Sequence, residues 1–137
     1  MKATIASLKK IVLLLLAIVP AMATSSFAYE AQTNNANGVF VTVTPKNLAQ
    51  YQSAEFDVSL NTHSVDLSQD LTAVAELSDD QGHRYLPSRW EGTPPGSHHR
   101  KGTLIFPNLQ TPVKSVTLII HDVAQVPERT FSWQVKP

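Results

Sequence analysis

Cysteine is absent from this chain, and its only two methionines, Met1 and Met22, fall within the first 22 residues. Disulfide staples, zinc-thiolate centres, thiol nucleophiles and blue-copper sites are therefore excluded, and beyond Met22 so are thioether sites for Cu(I). Charge of one sign is lacking too: 11 basic residues face 11 acidic ones, with no Lys/Arg-rich stripe of the kind that nucleic acids or anionic membranes attract. The one long apolar run, Ile11 to Val19, is about half of the ~20 residues a membrane span needs. No permanent membrane anchor and no nucleic-acid partner are expected.

That run sits behind Lys2, Lys9 and Lys10 and ahead of Pro20 and several small residues, the three-part layout of an export signal. Cleavage after Ala23 or Ala28 satisfies the small-x-small rule, and Ala28 is preferred, so residues 1–28 are expected to be a signal peptide. Its removal takes away three of the basic residues and no acidic one, leaving a mildly acidic periplasmic or extracellular protein. The remainder has the size of one ordinary domain, expected to be monomeric or weakly associating.

"YEAQTNNANG", residues 29–38, is small and polar with no apolar period and is expected to be a flexible leader. From Val39 onward the period is two. "VFVTVTP" sets Val39, Val41 and Val43 against Phe40, Thr42 and Thr44; "AEFDVSLN", "LTAVAELS" and "VKSVTLIIHD" repeat the alternation, and "TFSWQVK" sets Phe131, Trp133 and Val135 against polar neighbours. With "HRYL" and "TLIF" added, seven short strands separated by turn chemistry predict a single all-β domain over 39–137, an immunoglobulin-like antiparallel β-sandwich. Trp90 or Trp133 is expected in its core.

Successive antiparallel strands reverse direction, so alternate connections emerge at the same end. The connections at 62–70, 87–100 and 123–128 then share one pole, which collects His63, His98, His99 and His121 with Asp66 and Asp122. Only His83 falls at the other end. Imidazoles with supporting carboxylates suit Zn(II) or Cu(II), Asp66 and Asp122 orienting the rings. The spacing carries no His-x-His or HExxH motif, and Lys101 and Arg100 bring repelling charge beside the pair of histidines. The alternative is a hydrogen-bonded docking surface, with Trp90 beside a salt-bridged rim of Arg100, Glu128 and Arg129. Trp90 and Tyr85 have two readings, a platform for a sugar ring or packing against the core. No Gly-x-Ser-x-Gly elbow supports a hydrolase, so an enzyme is the least favoured reading.

"THSVDL", "GSHHRKGTLIFP" and "VPERTFSW" together resemble the series found in a set of small exported bacterial and archaeal sandwich domains of no established activity. The resemblance covers most of the chain after the signal and implies the fold and export. The expected function is an exported, non-catalytic binding module whose histidine-bearing pole docks a protein, a cell-envelope component or a divalent metal. A dedicated periplasmic Zn(II)- or Cu(II)-binding protein is the alternative.

Overall fold

The computed structural model describes residues 28–137, so the expected signal peptide lies outside the described residues but for Ala28. Nine strands and one helical turn follow in order: β1 (Gln32–Ala36), β2 (Val39–Asn47), β3 (Ser53–Thr62), α1 (Leu71–Val74), β4 (Ala75–Asp79), β5 (Arg84–Tyr85), β6 (Arg89–Gly92), β7 (His99–Asn108), β8 (Ser115–Val123) and β9 (Val126–Gln134). They form two antiparallel sheets, β1-β2-β3-β7-β6 and β5-β4-β8-β9. The order β2-β3-β7-β6 against β4-β8-β9 is the immunoglobulin arrangement of four strands facing three, extended at one edge of each sheet by β1 and β5.

Period-two alternation builds the core as expected. Val39, Val41 and Val43 of β2, Phe56 and Leu60 of β3, and Leu118 and Ile120 of β8 are fully buried between the sheets. Aromatic rings lock its centre: Phe56 meets Phe106 edge-on at 5.8 Å and lies 5.6 Å from Trp133, which stacks on Phe131. Trp133 is the core tryptophan; Trp90 is half-buried on the inner side of edge strand β6.

Three local expectations are corrected. The segment expected to be a flexible leader contains β1. Asn37 and Gly38, both at positive φ (50° and 77°), make a tight two-residue hairpin turn that folds it back on β2. Its far side is tied to β9 by a side chain, because the Gln32 amide donates to the Ser132 carbonyl at 2.5 Å and accepts from the Ser132 N–H at 3.1 Å. Second, "LTAVAELS" is not one strand. Asp70 caps a helical turn by accepting from the Thr72 N–H at 2.9 Å, and only from Ala75 does the chain extend. Third, the strand expected to begin at Thr103 begins at His99, and Arg89–Gly92 adds an edge strand beside it. Glycine permits that pairing: a Cβ on Gly92 would stand 2.5 Å from the Lys101 carbonyl oxygen and 2.8 Å from the Trp90 ring, which lies across Gly92 and Gly102.

Candidate functional site

One pole holds the turn at 37–38, the loops at 63–70 and 93–98 and the turn at 124–125; the other holds the connections at 48–52, 80–83 and 109–114. The loops are laced together across the sheets at the first pole by Gln69 Nε2 donating to the Asp122 carbonyl and Asn37 Nδ2 to the Ala124 carbonyl. His63, His98 and His99 lie at this pole, and His83 lies at the other, as the strand-direction argument predicts.

The expected four-histidine cluster does not assemble, for a reason of parity. Arg100 points inward from β7, so His99 points out from the five-stranded sheet. Ile120 points inward from β8, so His121 points out from the four-stranded sheet. With the sheets packed about 10 Å apart, the two rings leave the molecule in opposite directions. His121 faces Glu76 at 3.8 Å, and its cross-strand neighbour is the exposed Glu128. His63 and His99 do meet, edge to face, with ring centroids 6.1 Å apart, and His99 Nδ1 is 2.9 Å from Asn61 Oδ1. His98 is exposed beside them and uses its carbonyl to accept from the Thr62 N–H. Asp66 and Asp122 are exposed in their loops. Among the described residues, no three His, Cys, Asp or Glu side chains form a group able to hold a metal ion.

Nor is there a salt-bridged arginine rim. Arg100 is 1% exposed and Arg129 is fully buried, and neither has a carboxylate within ion-pair distance. Each guanidinium instead fastens chain segments by their carbonyls. Arg100 Nη1 donates to Leu67 O at 3.2 Å and Gln69 O at 2.6 Å, Nε reaches Thr93 O at 3.4 Å, and the guanidinium carbon lies 5.9 Å from the Trp90 ring centroid. Arg129 donates from Nη1 to Asn34 Oδ1 at 2.7 Å and Val39 O at 3.2 Å, and from Nη2 to Ala36 O at 3.0 Å and Val123 O at 3.1 Å. Burial pulls both guanidiniums below their ordinary pKa; for Arg100 the charge of Asp70 partly opposes this. Trp90 is similarly committed, its indole N–H donating to Thr93 O at 2.9 Å. Three of the four residues expected to form a docking surface thus hold the fold together, and only Glu128 is free at the surface.

The second pole is organised by carboxylates. Asp79, buried at the end of β4, accepts from the Gln81 and His83 N–H groups, from the Tyr85 hydroxyl at 2.8 Å and faces His83 Nδ1 at 3.0 Å. Burial pushes its pKa up, but these hydrogen bonds outweigh it and hold the carboxyl below its usual value. Asp80 accepts from the Lys114 and Ser115 N–H groups, and its pKa is likewise lowered. Burial raises the Tyr85 phenol, with Asp79 adding to it.

The outer face of the five-stranded sheet carries a second set of polar side chains, none of which closes a loop or turn of the fold. Register places Asn35, Phe40, Asn61 and His99 in one row across the strands and Thr33, Thr42, Ser59 and Lys101 in the next. A third row runs Thr44, Asp57, Thr103 and Glu91. Between the second and third rows lies an open depression of about 350 Å³ lined by Thr42, Thr44, Asp57, Ser59, Lys101 and Thr103. Phe40, 49% exposed, stands on the same face, one outward position along β2 from Thr42. Sequence reasoning passed over these residues although a signal was present: Phe40 is an aromatic on the polar side of an alternating strand. No protein-family model, curated protein or solved structure matches the chain.

Proposed function

We propose that this chain is an exported, non-catalytic binding module that docks a component of the cell envelope on the outer face of its five-stranded sheet, with His63, His98 and His99 at the upper corner. The observation that carries this reading is the division of labour among its polar groups. Arg100, Arg129, Asp70, Asp79, Asp80 and Tyr85 all have displaced pKa values, and in each case the displacement comes with hydrogen bonds or burial that close loops and turns. Perturbed groups of this kind are where an acid or base for catalysis would be sought, and here they serve the fold. The outer sheet face offers Phe40 and, bonded only to one another, Asn61, His99 and Ser59, beside a recess of the size of small-molecule sites that Ser59 and Lys101 help to line.

The test is retention of solubilised envelope material on the immobilised protein, beside a Phe40→Glu/Lys101→Glu variant and a His121→Ala variant. Binding lost in the first and kept in the second supports the reading; equal retention by all three, or none, removes it.

A second reading rests on the His63–His99 pair. Two imidazole rings with centroids 6.1 Å apart offer two nitrogen ligands for one Zn(II) or Cu(II) ion, His99 already using Nδ1 toward Asn61. Lys101, on the same face two residues from His99, opposes it. Isothermal titration with each metal, with and without His63→Ala and His99→Ala, decides it: stoichiometric binding lost in both variants is the supporting result, and unchanged weak binding is the opposing one.

A further inference from the structure

We propose that the depression between β2, β3 and β7 is a saccharide-binding site, an inference that rests on the docking reading above and names its ligand class.

The site lies in the interior of a sheet. Strand β2 is paired with β1 and β3, β3 with β2 and β7, and β7 with β3 and β6. Their backbone N–H and C=O groups are used in the ladders, so an extended peptide finds no free edge to pair with at this spot. Recognition here has to come from side chains. Those lining the recess are four hydroxyls, from Thr42, Thr44, Ser59 and Thr103, with one carboxylate, Asp57, and one ammonium, Lys101. The two charges are of opposite sign and are not paired with each other, so the recess has no net attraction for an anion or a cation. It does present donors and acceptors in close alternation, which is what a neutral molecule bearing neighbouring hydroxyl groups can satisfy.

Four of the six polar lining groups are also held by hydrogen bonds. Thr103 Oγ1 donates to Asp57 Oδ1 at 2.8 Å, Asn61 Nδ2 donates to Ser59 Oγ at 2.9 Å, and Thr42 shares a hydrogen bond with Thr33 at 2.9 Å. Each of these bonds restrains a rotor while leaving spare lone pairs, or the second carboxylate oxygen, for a ligand. Preorganisation of this kind lowers the cost of ordering the site when a ligand arrives. The floor is backbone, since Val58 is buried on the inner face and Gly102 turns its Cβ direction onto the Trp90 ring. Phe40, two residues along β2 and so about 7 Å from Thr42, supplies an exposed apolar ring on which the C–H face of a neighbouring sugar unit can lie. A row of hydroxyls followed by an aromatic suits a chain of two or three sugar units better than a single one.

The experiment is a two-dimensional amide NMR titration of the purified protein with four probes: the β-1,4-linked trisaccharide of N-acetylglucosamine, cellotriose, maltotriose and mannotriose. The expected result is a saturable shift with at least one of them, at a dissociation constant of about 1 mM or tighter, confined to amides of Phe40, Thr42, Asp57, Ser59, Lys101 and Thr103. Asp57→Asn and Ser59→Tyr should each weaken it at least about tenfold while the spectrum elsewhere stays folded, and His121→Ala on the opposite sheet should leave it unchanged. No shift with any probe up to about 10 mM, or shifts centred elsewhere, overturns the proposal. If solubilised envelope material perturbs this face and none of the sugars does, the saccharide proposal fails while the docking reading stands.

Discussion

The two poles of the sandwich solve the same problem with opposite charges. At the first, the turns and loops leave carbonyls pointing inward: Leu67, Gln69 and Thr93 around one guanidinium, and Ala36, Val39 and Val123 around the other. Only a side chain with many donors in a fixed fork can satisfy several carbonyls at once, and arginine is that side chain. At the second pole the tight turns leave N–H groups unpaired, those of Gln81 and His83 over Asp79 and those of Lys114 and Ser115 over Asp80. A carboxylate is the matching acceptor. Charge in this domain is used to complete the backbone's hydrogen bonding, and the difference between the poles follows from which half of the peptide group each set of turns strands.

The sharpest way to break the comparison is to remove the cations. Arg129→Met keeps the length and packing of the stem but leaves the buried carbonyls of Val39 and Val123, and the part-buried Asn34 Oδ1 and Ala36 carbonyl, without this donor. It should cost about 3 kcal/mol, and Arg100→Met, with one buried and two part-buried acceptors, about 2 kcal/mol, at roughly 1 kcal/mol or more for each buried acceptor left alone and less for one that water can reach. Urea unfolding would read this as a lower midpoint at unchanged slope. Lysine at either position should recover less than half of the loss, because a point charge cannot reach every acceptor.

At the other pole Asp79→Ala should cost about 3 kcal/mol and Tyr85→Phe about 1 kcal/mol. Because both act on one carboxylate, the double variant should cost less than the sum; strict additivity in a double-mutant cycle would deny the network.

Acid separates the poles directly. The carboxyls of Asp79 and Asp80 have folded-state pKa values below their ordinary ones. Their stabilisation is therefore fully present above the unfolded carboxyl range near about 4 and is lost as pH falls through the depressed folded values. Stability measured against pH should fall on the acid side of about 4, and Asp79→Asn should flatten that limb. At the arginine pole the guanidiniums stay protonated throughout, and only Asp70, whose carboxyl its hydrogen bonds from Thr72 hold below its ordinary value, adds to the acid limb; an acid limb unchanged in Asp79→Asn would assign it to other carboxylates.

The smallest effects concern the seam between the poles. Gln32→Ala removes the amide that stands in for a strand pairing between β1 and β9, at about 1 kcal/mol, with faster hydrogen exchange at the Ser132 amide as its local signature. His121→Ala, on an exposed sheet face, should stay within about 0.5 kcal/mol of the parent.

Much of the fold was legible in the amino-acid order. Alternation in "VFVTVTP", "AEFDVSLN" and "VKSVTLIIHD" identified the central strands and their buried side, because a pleated strand has a strict period of two. Counting strand reversals placed His63, His98 and His99 at one pole and His83 at the other. β1 was harder to see, since a polar strand whose outer edge is finished by the Gln32 side chain has no apolar period to display. β6 was hidden by the same lack of alternation, "RWEG" burying only the ring of Trp90.

The candidate site was less legible, and Arg100 and Arg129 show why. A charged residue in an exposed-looking motif reads as surface, and nothing in "HHRKG" or "VPERTF" tells that carbonyls from two separate segments converge on each guanidinium. By itself, then, the sequence determined a cysteine-free, two-sheet antiparallel domain and which side of each central strand faces inward, because those depend on composition and on local periodicity. Only the tertiary structure decided that His99 and His121 face away from each other, that both arginines are buried, and that Thr42, Asp57, Ser59 and Lys101 line one recess. Those relations join residues from different strands, and their geometry depends on sheet pairing, register and the packing of one sheet on the other, none of which is a property of any short stretch of chain.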